Sequence, residues 1–89
     1  MLHVEVSRIS EGPRRLADAV SYLTSEVRPA VEGRPGNLGT SLLLAPETGA
    51  LAFESFWASN GTLLDSEDVI AASVRETVRR AGGTVTRER

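Results

Sequence analysis

The stretch Leu51-Ala52-Phe53-Glu54-Ser55-Phe56-Trp57-Ala58-Ser59 decides the fold. It holds the one Trp and both Phe residues of the chain. Its side chains alternate between two faces, which predicts a strand from Ala50 to Trp57. Phe53 and Trp57 share one face of this strand, and Glu54 and Phe56 share the other.

A helix is predicted to follow this strand almost at once. Ser59 or Asn60 is suited to cap a short helical turn, and Asp65 or Ser66 to cap a second helix. This second helix is predicted from Val69 to Ala81, since Gly82-Gly83 ends it. Its buried stripe is expected to consist of Ile70, Val74, Thr77 or Val78, and Ala81.

The N-terminal part of the chain predicts a strand and then a helix. Apolar and polar residues alternate from Leu2 to Ser7, which is typical of a strand with one apolar and one polar face. Ser10 or Glu11-Gly12 lies where a helix cap is needed, and Pro13 suits a first helical turn. We expect this helix to end or kink at Arg28-Pro29, because the residue before a proline avoids helical geometry.

The middle of the chain predicts a loop, a strand and a tight turn. Val31 to Asn37 has loop composition, and Leu38 to Ala45 is expected to be a strand. Its apolar run Leu42 to Leu44 predicts a strand covered on both faces. Pro46 to Gly49 is a short turn, which makes the next strand an antiparallel neighbour. Thr84-Val85-Thr86 begins a last, short strand.

The resulting order, β-α-β-β-α-β, predicts an α+β fold of the ferredoxin-like type with a four-stranded antiparallel sheet. Two helices would cover one sheet face and leave the other open. An open face carrying Trp, Phe and Leu would be a large apolar patch. We therefore expect two copies to pack sheet to sheet as a homodimer, with Phe56 beneath the helices as core.

Composition narrows the classes of function. The 89 residues predict a single domain spanning 1–89. The net charge is −2, which argues against nucleic acid as a partner. The chain has no Cys, so disulfides and thiolate metal sites are excluded. With no transmembrane segment or signal peptide in the sequence, we expect a cytoplasmic protein without membrane partners.

A family resemblance rests on several short motifs. They are Pro35-Gly36-Asn37-Leu38-Gly39, the Leu42 to Leu44 run, Pro46-Glu47-Thr48-Gly49, Trp57-Ala58-Ser59, Leu63 and Ser66. Together they resemble the dimeric α/β-barrel superfamily, and within it the antibiotic-biosynthesis-monooxygenase-like proteins. The resemblance covers nearly the whole chain. Its motifs are mostly structural, so they point to the fold more than to a reaction.

The resemblance implies a homodimeric barrel with a cavity between sheet and helices. It implies a monooxygenase-like oxidoreductase that needs no cofactor and acts on a small aromatic or polyketide-like substrate. Haem-degrading relatives use an Asn, a Trp and a His at positions that fall here on Ser7, Trp57 and Glu67. Because only Trp57 matches, the resemblance disfavours haem degradation. The short last strand fits either a short form or one repeat of a longer protein.

Three residues of the first strand are candidate site residues. His3, the one His of the chain, would accept or donate a proton, with Glu5 orienting it and Ser7 binding a substrate oxygen. Residues two apart on a strand are separated by about 7 Å, so His3 and Glu5 need not touch. The alternative is a solvated His near a strand end.

Four further candidates lie in or after the third strand. Trp57 and Phe53 would contact an aromatic substrate, or simply fill the core. Glu54 would be a general base if partly buried, or else a partner for Arg8 or a helix Arg. Asn60 is a candidate substrate ligand, or only a cap. The sequence leaves open which sheet face His3 and Trp57 occupy.

Two functions therefore remain open. One is a monooxygenase-like enzyme that binds a planar aromatic substrate in a dimeric barrel. The other is a non-catalytic dimeric barrel that binds a small apolar ligand or serves as an interaction domain. An open cavity where His3 and Glu54 converge would favour the enzyme, and a cavity filled by Leu, Phe and Trp would favour the module. No metal site is expected.

Overall fold

The computed structural model describes residues 2–10, 15–45 and 47–89. The strands and helices alternate in the predicted order, with the first helical region divided into three parts. The elements are β1 (His3–Ser10), α1 (Leu16–Tyr22), a π-helical segment (Leu23–Val27), α2 (Arg28–Glu32), β2 (Asn37–Ala45), β3 (Ala50–Trp57), α3 (Asn60–Asp65), α4 (Glu67–Ala81) and β4 (Thr84–Glu88). The predicted cap at Glu11-Gly12 and the helix start at Pro13 lie outside the described residues.

The sheet has four strands in the order β2-β3-β1-β4. Each neighbouring pair is antiparallel, and the register places His3 opposite Trp57 and Ser7 opposite both Phe53 and Arg87. The two central strands are β1 and β3, which are adjacent in space but joined through a helical crossover and β2. This arrangement confirms the predicted ferredoxin-like α+β fold.

The helices cover the sheet face that carries Leu51, Phe53 and Trp57. These side chains are 3%, 4% and 0% exposed. The expectation that the open face carries the Trp, and that Phe56 lies beneath the helices, is therefore wrong. The two expectations fail together, because neighbouring residues of a strand point to opposite faces. With Trp57 under the helices, Phe56 must lie on the open face. Phe56 is half-buried on the open face.

The first helical region continues past Pro29 and ends at Glu32, whereas the sequence predicts that it ends or kinks at Arg28-Pro29. The turn before Pro29 is π-helical, from Leu23 to Val27. A proline has no N–H to donate and its ring crowds the preceding turn, so a wider turn lets the chain continue. Because the helix extends to Glu32, the predicted loop is shorter than expected.

The apolar run in β2 is not covered on both faces, contrary to the prediction. Leu43 is 55% exposed and Leu44 47% exposed. The reason is topological, because β2 lies at an edge of the sheet.

The last two helices follow the prediction closely. Ser59 caps α3 by accepting a hydrogen bond from the Thr62 N–H at 3.2 Å. The predicted stripe of α4 is buried, with Thr77 rather than Val78 at its third position. Gly82 follows α4 with a φ of 79° and ends it. Within the described residues, no helix has the length and apolar character that crossing a membrane requires.

Candidate functional site

The sheet brings five of the predicted site residues to one place. Strand alternation and pairing put them all on the face that the helices cover, along the two central strands. They are His3, Glu5, Ser7, Phe53 and Trp57. Of these, only His3 has an appreciable exposed fraction, since it lies at the end of β1. The site is therefore a buried layer between sheet and helices with His3 at its rim.

Glu5 is the chemical centre of this layer. Its side chain is 0% exposed, yet it carries a carboxylate. The Ser7 hydroxyl donates to Oε1 at 3.0 Å, and Nε of Arg87 donates to the same oxygen at 2.9 Å. A buried carboxylate is costly unless it is paired, so Arg87 is what allows Glu5 to lie here. Glu5 is thus bonded to Ser7 and Arg87, whereas the sequence hypothesis has it orienting His3.

Arg87 joins this buried carboxylate to the protein surface. Its Nη1 and Nη2 donate to the two carboxylate oxygens of Glu67 at 2.6 and 2.7 Å. This two-pronged geometry is the strongest that a guanidinium makes with a carboxylate. Arg89 also pairs with Glu67 from the outside. The chain of ion pairs therefore runs from the interior, through Arg87, to the N-terminus of α4.

The charges in this network stabilise one another. The Arg87 hydrogen bonds hold the pKa of Glu67 below its usual range, against a smaller opposing effect of burial. In turn, the hydrogen bonds to Glu67, and secondarily to Glu5, raise the pKa of Arg87. Both groups are consequently charged at neutral pH. The helix dipole favours the same state of Glu67, which lies in the first turn of α4.

Trp57 lies at the other end of the layer. Its indole Nε1 donates to the Ser55 hydroxyl at 2.9 Å, and both side chains are fully buried. Ser55 is the cross-strand partner of Glu5, so the aromatic and ionic parts are neighbours on the sheet. Trp57 belongs to the same buried core cluster as Leu63 from α3 and Ile70 from α4.

Two predicted site residues lie elsewhere. Glu54 is on the open face of the sheet, opposite Val6 and Ser41, so it does not converge with His3. Its predicted partner Arg8 instead pairs with Glu88 on β4. Asn60 is exposed at the first position of α3, next to the Ser59 cap. Neither residue contributes to the buried layer.

Sequence reasoning missed Arg87, the residue that holds the site together. It lies in what appears as a charged tail, Arg87-Glu88-Arg89, after only three strand-like residues. Alternation continued from Val85 would have placed Arg87 on the helix-covered face, opposite Ser7. That continuation is the pattern that could have identified it.

Other surface features differ in chemistry from this layer. A depression of about 460 Å³ between α1 and α4 is lined by charged and hydroxyl groups, including Arg15, Tyr22 and Arg80. Another, of about 300 Å³, lies against the β2–β3 hairpin and contains Leu43 and Ala52. Within residues 2–10, 15–45 and 47–89, no three metal-ligating side chains cluster.

Comparison with known proteins supports the fold and little more. No model of a protein family matches the sequence, and no curated protein matches it. Solved structures do match. A conserved protein from Methanosarcina mazei Go1 is 11% identical with a TM-score of 0.78, covering 99% of this chain and 89% of that one.

Several of the matching structures carry an activity in their description, and two of them illustrate this. One is described as an antibiotic biosynthesis monooxygenase, with 17% identity, a TM-score of 0.70, and coverage of 100% and 97% of the two chains. The other is a monooxygenase from Streptomyces coelicolor in complex with the ligand nanaomycin D. It is 19% identical with a TM-score of 0.68, and the match covers 96% of this chain and 83% of that one.

At these identities the likeness establishes architecture and leaves activity open. The matches extend over almost the full length of both partners, so they concern the whole domain and not a shared motif. They confirm the resemblance that the sequence motifs indicate. The chain has the ferredoxin-like fold of the antibiotic-biosynthesis-monooxygenase proteins.

Proposed function

We propose that this protein is a monooxygenase-like enzyme that needs no cofactor and acts on a small aromatic or polyketide-like substrate. The substrate would lie on the helix-covered face of the sheet. The observation that carries the proposal is the pairing of His3 with Trp57 across β1 and β3. It sets the one imidazole of the chain beside its one indole, at the rim of the layer.

The chemistry follows from the groups in place. Trp57 and Phe53 offer aromatic surface for a planar substrate. His3 would take a proton from an activated C–H or O–H group, since a neutral imidazole is a suitable base near neutral pH. The resulting electron-rich anion reacts with dioxygen directly. For an anthrone, one oxygen atom ends in the quinone and the other leaves as water.

Glu5 and Ser7 complete the proposed site as its polar floor, and Phe53 forms its aromatic wall. Ser7 would turn its hydroxyl from Glu5 to a substrate oxygen. Glu54 and Asn60 take no part in the proposal, because they lie away from the layer.

The proposal includes a homodimer formed through the open sheet faces. That face carries half-buried apolar side chains, among them Val4, Val6 and Phe56, and it borders the exposed Leu43. Packing two such faces together would remove this apolar surface from water. A cytoplasmic location stays a prediction.

A second candidate, a non-catalytic barrel that binds a small apolar ligand or another protein, is favoured by two observations. Glu54 does not converge with His3, because the two side chains lie on opposite faces of the sheet. Trp57 is 0% exposed, and its N–H already has a partner in Ser55. A substrate must therefore displace packed side chains before it reaches the indole. The enzyme hypothesis requires α3 or α4 to move, and the module hypothesis does not.

Oxygen consumption with anthrone separates the two candidates. We expect the protein to consume oxygen and form anthraquinone, and His3→Ala to lower the rate about 100-fold, the usual contribution of a general base. Trp57→Phe should raise KM more than it lowers kcat. Glu47→Gln, in the exposed hairpin, is the control and should change neither. A rate unaffected by His3→Ala contradicts the enzyme proposal, and binding without oxygen uptake supports the module.

A further inference from the structure

We propose that the helix-covered site takes an anionic aromatic ligand, whose negatively charged oxygen replaces the Glu67 carboxylate on Arg87. This inference rests on the proposed function, and it names the class of substrate. In the unliganded protein Glu67 would act as an internal substitute for that ligand. The mouth of the site would lie at the seam between β4 and the start of α4.

The first argument is the unequal burial of the two carboxylates that share Arg87. The Glu5 side chain is 0% exposed, whereas that of Glu67 is 37% exposed. Removing Glu5 from Arg87 would leave a charge stranded in the interior. Glu67 already contacts water, so its carboxylate would be hydrated if it rotated away from Arg87. Of the two partners, Glu67 is therefore the one that a ligand can replace.

The second argument is the direction in which Arg87 presents its donors. Nε faces inward to Glu5, while Nη1 and Nη2 face Glu67 as a parallel pair. A guanidinium fork of this kind recognises planar, two-oxygen anions such as carboxylates. When Glu67 leaves, the fork stays oriented, because the bond to Glu5 still holds the guanidinium.

The third argument is the continuity of the layer. Glu5 is the cross-strand partner of Ser55, and Ser55 accepts the Trp57 indole hydrogen bond. A ligand anchored by its anionic group on Arg87 would thus extend its ring over the sheet towards Trp57, and it would displace side chains that now bury Ser55 and Trp57. Neighbouring strands are about 4.8 Å apart, so the span from β4 to β3 suits a fused two-ring or three-ring molecule.

The charge balance explains why a neutral ligand should bind less well than an anionic one. Anthrone meets this requirement as its enolate, the anion that forms when the C–H proton is removed. Arg87 and Arg89 face Glu5 and Glu67, so the cluster has no net charge. Displacing Glu67 with a neutral molecule would leave the outer part of Arg87 without its anion. An anionic ligand that displaces Glu67 would again pair the outer side of Arg87 with a negative charge.

The test is a pair of titrations followed by two-dimensional NMR. The probes are 2-naphthoate and its neutral analogue 2-naphthamide, and the reporter is the indole N–H cross-peak of Trp57, the one Trp of the chain. We expect 2-naphthoate to shift this peak and to bind at least tenfold more tightly than 2-naphthamide.

Variants locate the binding determinant. Glu67→Gln, which frees the fork, should tighten 2-naphthoate binding about tenfold and leave 2-naphthamide unchanged. Arg87→Lys keeps the charge but loses the fork, and should weaken 2-naphthoate binding by a similar factor. Glu76→Gln is the matched control, because Glu76 lies on the same helix and pairs with Arg79 and Arg80 on the surface. It should leave both affinities unchanged.

Two outcomes would overturn the inference, and they differ in what else they imply. Equal affinities for the two probes, with no response to Glu67→Gln, would show that the site takes neutral ligands; the proposed function would survive. No shift of the Trp57 peak with either probe would remove the ligand site itself, and with it the proposed function. Thermal unfolding of each variant distinguishes lost binding from lost folding.

Discussion

At the scale of single residues, the main result is that the polar side chains of β1 point inward. Glu5 and Ser7 occupy positions that an ordinary core would give to Val or Ile. The Ser7 hydroxyl donates to Glu5, and Glu5 is paired with Arg87, a residue 82 positions away. Buried ionic groups of this kind seldom add stability compared with apolar packing. Their presence is what the proposed ligand site would account for.

The Ser55 hydroxyl provides a direct residue-scale test of the Trp57 environment. Ser55→Ala removes the acceptor of the indole hydrogen bond and leaves a buried donor without a partner. We expect the free energy of unfolding to fall by about 1–3 kcal/mol, measured by urea denaturation. Ser41→Ala, on the open face of β2, should change it by less than about 0.5 kcal/mol. Equal effects of the two substitutions would count against the buried hydrogen bond.

Glu67 makes stability depend on pH in a predictable direction. Hydrogen bonds from Arg87 lower its pKa in the folded protein, so its contribution is present above the unfolded-state pKa of about 4.3 and is lost as the pH falls through the folded value. Wild-type stability should therefore decline more steeply below about pH 5 than that of Glu67→Gln. Urea midpoints between neutral and acidic pH measure this.

The control for the pH experiment is Glu47→Gln. Glu47 is exposed in the hairpin and has no ion-pair partner among the residues that the structure describes. Its variant should follow the wild-type pH profile. Parallel profiles for wild type and Glu67→Gln would mean that the Arg87 pair does not contribute to folding.

At the scale of elements, local patterns predict most of the strands and helices, but not which face each one buries. The alternation of β3, the Ser59 cap of α3 and the glycine that ends α4 are encoded in neighbouring residues, and the structure confirms them. Ser66 lies at the N-cap position of α4 but makes no side-chain cap hydrogen bond. Which face of β3 meets the helices is not local. It depends on the pairing of β3 with β1 and of β1 with β4. Local patterns therefore assign Phe56 to the wrong face and do not identify Arg87.

The same limit applies to the first helical region. Pro29 is a local signal against helix, and in isolation it would end one. Packing of Val27 and Val31, which are 3% and 0% exposed, keeps the chain helical on both sides of it. The π-helical segment is the resulting compromise, and no rule on single residues would have predicted it.

Substitution of Gly36 tests the contact between the loop before β2 and helix α3. Gly36 has a φ of +82°, and a Cβ there would come within 2.5 Å of the Thr62 side chain. Gly39 has a φ of +142°, but a Cβ there would meet nothing within 4 Å. Both Ala substitutions carry a backbone cost of about 1–3 kcal/mol, and only Gly36→Ala adds a collision.

We therefore expect Gly36→Ala to destabilise the protein clearly more than Gly39→Ala does, as measured by urea midpoints. The collision involves Cβ of Thr62 as well as the end of its side chain, so rotation of that side chain cannot relieve it. Equal stability of the two variants would contradict the close contact between this loop and α3.

At the scale of the whole molecule, the open sheet face is the feature on which we expect a partner to pack. A domain of 89 residues has a small core, and oligomerisation is a common way for such domains to gain stability. The open face carries both apolar side chains and charges such as Glu54, so a second copy must satisfy both. The sequence indicates the homodimer in two ways, through the apolar sheet face that two helices would leave open and through family resemblance. It does not reveal locally which face of β3 is the open one.

The dimer prediction is tested by sedimentation equilibrium. We expect wild type to show about twice the 9.5 kDa chain mass. Val6→Glu should be monomeric, because it adds a negative charge beside Glu54 and Glu88 on the open face. Leu64→Glu, on the exposed side of α3, should stay dimeric. A dimeric Val6→Glu protein would mean that the copies meet elsewhere.

The central claim is that ligand binds on the helix-covered face, and Trp57 and Phe56 offer a direct test because they are adjacent residues on opposite faces of β3. The measurement is intermolecular nuclear Overhauser effects between the protein and anthrone under argon, which prevents turnover. We predict contacts from anthrone to the Trp57 ring and to Phe53, and none to Phe56. Contacts to Phe56 without contacts to Trp57 would contradict the account.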